Sequence, residues 1–260
     1  MIKKYTAEDI KNSLKKIGIR KGDSIFIHSN LGYLGLLDGC KNANELCREF
    51  LNVVTEVLGE EGTLIVPTFS YSFCHGEIYN PYKTETKCGI LSTYIRKKYP
   101  ENRSLDPNFS ICGIGRLMET YKNCNIHESF GNGSFWELFL KYNGKIVFIS
   151  LDAGWATLIH YIERCNNVNY RYNKAFNGIM ELKEKVLRDY AVHFVYDGKS
   201  DAPATDRIAK MCNDAGICKE TNLGNSTISA CSARKYYDYF TNILKYRPRV
   251  LCAQEVLSDE

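Results

Sequence analysis

Three times in the first 150 residues, a short β-branched or aromatic apolar run gives way to a polar loop and then to a helical pattern. The runs are Ser24-Ile25-Phe26-Ile27-His28, Thr63-Leu64-Ile65-Val66-Pro67 and Ile146-Val147-Phe148-Ile149. Short runs of this kind, with no alternation of polar and apolar residues, belong to strands buried on both faces. Strands that alternate with helices predict crossovers and parallel pairing, hence an α/β protein. The third unit, residues 145–163, carries the most chemistry. After its strand come a loop with Asp152 and Gly154 and a short helical pattern over 156–164 that holds His160 and Glu163. Those two lie three apart, so a helix presents them on one face. A carboxylate beside an imidazole fixes its tautomer, which a general base working near neutral pH requires. Most single His–Glu pairs on helices are solvated or structural, so this pair gains weight only from the rest of the chain.

The remaining pattern fills in the architecture. Thr6-Ala7-Glu8-Asp9 reads as a capping box that opens a helix through about Ile17. Helical periodicity recurs over 43–58, 89–99, 133–142, 205–213 and 232–244, and a short strand is predicted over 110–114. Residues 178–182 and 190–196, split by a charged turn, read as antiparallel β. The prediction is a single mixed-sheet α/β domain with helices on both faces and an antiparallel β and helical C-terminal part. There is no repeat, low-complexity tract or long linker.

Composition excludes several function classes. The chain has 260 residues, 44% hydrophobic and 25% charged, ordinary for a globular protein with a sizeable core. No apolar run reaches the roughly 18 residues that suggest a membrane span. The charged, amphipathic N-terminal stretch 1–18 lacks the apolar region of a secretory signal. A net charge of +4, from 34 basic and 30 acidic residues well mixed, is no nucleic-acid signature. The eleven cysteines form no CxxC pair and no Cys/His cluster with zinc spacing. Their odd number predicts reduced thiols, a cytoplasmic setting and no metal.

Four further segments are candidates for a pocket. His28-Ser29-Asn30 and Pro67-Thr68-Phe69-Ser70 each follow a strand, and polar carboxyl ends of neighbouring parallel strands converge on the ligand crevice of such sheets. Arg103 precedes an Asp106-Pro107 turn, where it either clamps a phosphate or faces water. Gly131-Asn132-Gly133-Ser134 opens a helix; it either offers backbone N–H groups to a ligand or simply caps the helix through Ser134.

Taken in order, GDSIFIHSNLGYLG, GTLIVPTFSYS, RSLDPNFSICGIG, GNGSFWELF, GKIVFISLDAGWATLIHYIE, YRYNKAFNG and GNSTISACSARKYYDYF resemble the aminoglycoside 3-N-acetyltransferase family over nearly the whole chain. The resemblance implies transfer of acetyl from acetyl-CoA, as co-substrate, to a primary amine of an aminoglycoside or amino sugar. It implies an acetyl-CoA-binding core over 1–165, with 166–260 as the rest of the same domain. It implies that His160 is the catalytic base, with Glu163 and Asp152 as acidic partners. It further implies that His28, Ser29 and Thr68 line the CoA arm, with Ser110 and Ser134 at matching pocket positions; Arg103, as the candidate phosphate clamp, is counted with them on the cofactor-binding side. The expected partner is the small-molecule amine, with neither nucleic acid nor membrane, and a homodimer is left open. One departure stands out: resistance enzymes of the family often carry H-P-x-H-S where this chain has Asp106-Pro107-Asn108-Phe109-Ser110. The missing histidines make a nucleotide-linked amino sugar of surface-polysaccharide biosynthesis the alternative acceptor. Two remoter alternatives are a cysteine-dependent acyl hydrolase, using Cys74 or Cys112, and a non-catalytic CoA-binding relative.

Overall fold

The computed structural model describes residues 3–197 and 202–253; the stretch 198–201 and the ends of the predicted domain, 1–2 and 254–260, lie outside it. The first helix, α1 (Ala7–Lys16), starts at the predicted capping box, with the Thr6 side chain on the Asp9 N–H and the Asp9 carboxylate on the Thr6 N–H. A two-residue strand before it, β1 (Lys4–Tyr5), pairs in parallel with β3 (Leu36–Leu37). Between these lies β2 (Ser24–Ser29), and after them come α2 (Ala43–Leu58), β4 (Thr63–Pro67), α3 (Ile90–Lys98) and β5 (Ile111–Gly115). The middle of the chain adds α4 (Met118–Lys122), α5 (Phe135–Lys141), β6 (Lys145–Ile149) and α6 (Leu158–Cys165). A long hairpin, β7 (Arg171–Glu181) with β8 (Val186–Tyr196), precedes α7 (Thr205–Asp214), β9 (Lys219–Leu223), β10 (Ser226–Ser232) and α8 (Ala233–Leu244).

The main sheet runs β5-β4-β2-β6-β10-β9. Its centre is parallel, as the alternation of strands and helices predicts: β2 pairs in parallel with both β4 and β6. Both wings are antiparallel, β5 on β4 at one side and β10 on β6 at the other. The strand β10 departs from the sequence reading, which assigns no strand to residues 219–232. Its run Ser226-Thr227-Ile228-Ser229-Ala230-Cys231-Ser232 is small and polar, yet it is packed inside the sheet with Ile228 opposite Ile149 and Cys231 opposite Ile146. The predicted antiparallel pair is present, but as a separate two-stranded hairpin rather than as part of the main sheet.

Helices cover both faces. Alternate side chains of the central strands face opposite ways. Ile25, Ile27, Leu64, Val66, Val147, Ile149 and Ile228 pack with buried residues of α1, α2 and α3. Phe26, Ile65, Ile146, Phe148 and Cys231 pack instead with α5, α6, α7 and α8. His28 shares the second face, two residues on from Phe26, which points the polar end of β2 toward α6.

The second face is the aromatic one. The Phe139 ring is fully buried and meets Phe26, Tyr121, Phe135 and Trp136 at centroid distances of 5.3 to 6.2 Å. Gly144 allows this: a Cβ there would stand 2.3 Å from the Phe139 ring. Truncating a phenylalanine so enclosed removes its burial and leaves a cavity. Phe139→Ala is therefore expected to lower stability by about 3–5 kcal/mol, read from the denaturant midpoint; a loss below about 1 kcal/mol would contradict this packing.

Candidate active site

The geometry converges on α6. His160 and Glu163 share one face of this helix, and His160 Nδ1 lies 3.0 Å from Glu163 Oε2. Glu163 is completely buried. A carboxylate out of water must be matched by donors or by an opposite charge; His160 and Tyr170 supply donors, and Arg171 supplies the charge. The Tyr170 hydroxyl donates to Oε1 at 3.0 Å, and Arg171 Nε sits 2.8 Å from Oε2, the same oxygen that His160 uses. Arg171 is itself fixed: one terminal nitrogen donates to the Phe194 carbonyl at 2.8 Å, and its guanidinium lies 3.6 Å from the centre of the Tyr196 ring. Both anchors belong to β8, so the open end of the β7–β8 hairpin is clamped against α6.

With Nδ1 directed at a carboxylate, the network assigns the Nδ1–H tautomer and leaves a lone pair on Nε2. Burial lowers the His160 pKa from its ordinary value; the Arg171 charge lowers it further and Glu163 opposes both. The imidazole is thus favoured in its neutral form near pH 7. Around it stands an aromatic wall. The Phe130 ring meets His160 edge-on at 5.3 Å, Phe109 meets Phe130 at 4.7 Å, and His193 stacks on Phe109 at 4.6 Å. Burial pushes the His193 pKa down to about 3, so this second imidazole is uncharged as well. Phe130 also lines a cavity of about 330 Å³ with Glu128, Gly131, Asn132, Tyr161 and Arg164. A larger cavity, about 840 Å³, lies between the start of α2 and α3 and includes no candidate catalytic residue.

The other predicted residues divide into those near His160 and those committed elsewhere. His28 is near: its Nε2 accepts from the Thr157 N–H at 3.4 Å, joining the end of β2 to the turn before α6. It also stacks over Phe148 at 5.8 Å, and burial brings its pKa down to about 3. Ser29 closes β2 and is half-buried. Asp152 caps the turn before α6, its Oδ1 accepting from the Gly154 N–H at 2.9 Å. Gly154 belongs there because a Cβ would stand 2.1 Å from the Thr205 carbonyl oxygen.

Thr68, Ser110 and Arg103 form one closed, buried network rather than an open surface. The Thr68 hydroxyl donates to the Ser110 carbonyl at 3.0 Å and the Ser110 hydroxyl to the Thr68 carbonyl at 2.7 Å. Arg103 donates to Ser110 Oγ and to the carbonyls of Thr68, Pro81 and Thr84. It is buried, and each of its three nitrogens already donates within the protein. Ser134 is the N-cap of α5, its hydroxyl accepting from the Glu137 N–H. Asp106 takes the backbone N–H groups of Asn108 and Phe109, both at 2.8 Å, which makes it the organiser of its own turn.

The two candidate thiols, Cys74 and Cys112, do not resemble nucleophiles. Burial pushes Cys74 up to about 11 and Cys112 up to about 12, away from the reactive thiolate. Among the described residues no group of three or more His, Cys, Asp or Glu is placed to hold a metal ion, and no helix is long and apolar enough to cross a membrane.

Comparison with known proteins decides the family. The family model described as aminoglycoside 3-N-acetyltransferase matches residues 26–245. The chain belongs to the aminoglycoside 3-N-acetyltransferase family. Its members are acyltransferases, and the chain is similar to aminoglycoside N(3)-acetyltransferase III of Serratia marcescens, at 22% identity over 85% of this chain and 90% of that one. Among solved structures it resembles AAC-IIIb in a binary complex with CoASH, with a TM-score of 0.79 at 16% identity over 94% of this chain and 97% of that one. It also resembles AAC-VIa bound to sisomicin, with a TM-score of 0.78 at 18% identity over 94% and 98% of the two chains. The mixed sheet with helices on both faces is therefore the family fold.

The buried imidazoles have a measurable consequence. His28 and His193 stay neutral down to about pH 3 in the folded protein, against an ordinary value of 6.5. Between those limits the unfolded chain binds more protons, so stability falls as pH drops through 6.5 toward 3. Each histidine contributes at most about 1.4 kcal/mol per pH unit in that window. The denaturant midpoint is expected to fall between pH 7.5 and pH 5, with a shallower fall in His28→Asn. A midpoint independent of pH over this range would contradict the burial of neutral histidines.

Proposed function

We propose that the protein transfers acetyl from acetyl-CoA to a primary amine of an aminoglycoside or amino sugar, with His160 as general base. The observation that carries this reading is the His160–Glu163 pair: a buried carboxylate fixes Nδ1, and Nε2 keeps its lone pair. The amine nitrogen attacks the thioester carbonyl carbon, forming the new N–C bond. Its proton passes to His160 Nε2. The tetrahedral intermediate then collapses, the C–S bond breaks, and the leaving CoA sulfur takes up the proton. No covalent enzyme intermediate is needed, in keeping with the Cys74 and Cys112 thiols held in their protonated form. Holding amine and thioester together supplies much of the rate. Acetyl-CoA as co-substrate is supported by the similarity to AAC-IIIb, whose structure contains CoASH, and the amine class by the similarity to AAC-VIa, whose structure contains sisomicin.

Two of the predicted lining residues, His28 and Ser29, keep their role in this proposal, at the end of a strand tied to the turn before α6. Thr68, Ser110, Arg103 and Ser134 are read instead as the frame that shapes the crevice. The chain is read as one acetyltransferase domain over 1–260, since β10 from the C-terminal part pairs directly with β6.

A second acceptor class is favoured by one observation. Where resistance enzymes often carry the second histidine of H-P-x-H-S, this chain has Phe109, stacked on His193 and joined through Phe130 to the rim of His160. That wall offers aromatic faces where a polycation would gain more from carboxylates, which suits an amino sugar linked to a nucleotide.

General-base help of this kind is worth about 10²–10⁴-fold. His160→Ala is expected to lower kcat by that factor with the fold intact, measured as CoA thiol release under saturating acetyl-CoA. Asp152→Asn keeps the oxygen that caps the turn and is expected to stay within about threefold of wild type. Near-normal turnover in His160→Ala would refute the assignment.

A further inference from the structure

Sequence motifs single out His160 and Glu163 but leave Tyr170 and Arg171 without a role. We propose that Arg171, assisted by Tyr170, is a positioning residue: it shares Glu163 Oε2 with His160 and so sets how much of the carboxylate's charge the imidazole feels. This deepens the general-base reading and rests on it.

The physical problem is one of opposing demands. A carboxylate is needed to fix the His160 ring and its tautomer. A bare buried carboxylate at 3.0 Å would also draw a proton onto that ring, since an opposite charge within about 4–6 Å moves a titration by 1–3 units. An imidazolium has no lone pair and cannot act as a base. Arg171 resolves the conflict by placing Nε 2.8 Å from the same Oε2, while the Tyr170 hydroxyl occupies Oε1 at 3.0 Å. Glu163 then accepts the Nδ1–H of His160 with its charge already balanced.

The groups that face this pair all fit. Glu163 is the acidic partner from the helix of His160 itself, and Tyr170 and Arg171 come from the start of β7. His193 from β8 is uncharged, and Tyr196 from the same strand lies under the Arg171 guanidinium. Arg249 lies 5.2 Å over the Tyr170 ring. Arg171 is nearly buried, so its charge acts with little screening by water.

The test follows the His160 titration directly, by NMR of histidine labelled at the ring carbons and nitrogens. Only five histidines are present, and the His160 signal is identified by its loss in His160→Gln. Arg171→Gln is expected to raise the His160 titration midpoint by about one unit or more. Its rate is expected to fall on the acid side of the raised midpoint and to recover toward higher pH. Arg171→Lys keeps the charge and is expected to keep the midpoint close to wild type. Tyr170→Phe is expected to move it in the same direction as Arg171→Gln, by less. An unmoved midpoint in folded Arg171→Gln would overturn the proposal. If that variant does not fold, Tyr170→Phe decides: an upward shift supports the proposal and an unmoved midpoint overturns it. The NMR reading does not depend on turnover. If the midpoint shifts as expected while the pH dependence of the rate does not follow it, the general-base reading fails and the positioning role stands.

Discussion

The buried carboxylate of Glu163 is the point on which the site depends. An ionised group with no exposure to water is costly unless every lone pair is matched. Its three partners come from two places: His160 one turn back on α6, and the consecutive Tyr170 and Arg171 where the chain enters β7. Because Arg171 is also bonded to the Phe194 carbonyl and stacked on Tyr196, the same carboxylate joins the hairpin to the helix. The His160 ring and the hairpin are thus both held by one buried carboxylate.

The main sheet brings the remaining parts to this point. β2 and β6 are adjacent and parallel, so the turns after both strands open at one edge. Phe26 and His28 face the helices of the second layer, and the Thr157 N–H to His28 contact ties the two turns together. The loop over 103–110 serves from behind. Arg103 knots Thr68 to Ser110 and to two carbonyls of the 81–84 turn, and Asp106 folds Phe109 into the wall beside His193.

The parallel centre was legible from the sequence because Ser24–Ser29, Thr63–Pro67 and Lys145–Ile149 are dense in β-branched and aromatic residues. The partner of β6 on its other side was not, because residues 226–232 carry serine, alanine and cysteine where a buried strand usually carries valine and isoleucine. Those small side chains fit between two packed helical layers, a property of the tertiary structure alone. His160 and Glu163 were legible through their spacing on a helix. Arg171 was not: it stands in a polar stretch that reads as solvent-facing, and its burial follows only once the hairpin folds back on α6. The network that joins Thr68, Ser110 and Arg103 was not legible either. Their residue types suit a binding surface, but their donors and acceptors are consumed by one another. Asp152 was placed correctly at a strand end, yet its oxygen serves the backbone of its own turn.

The account's central claim is that this arrangement moves an acetyl group onto an amine. The most direct measurement follows CoA thiol release from acetyl-CoA, with mass spectrometry of the amine product, across aminoglycosides, free amino sugars and nucleotide-linked amino sugars. The account predicts release that depends on an amine of one of these classes, with one acetylated amine formed per CoA freed. No release with any of them, or release equal with and without the amine, would contradict it.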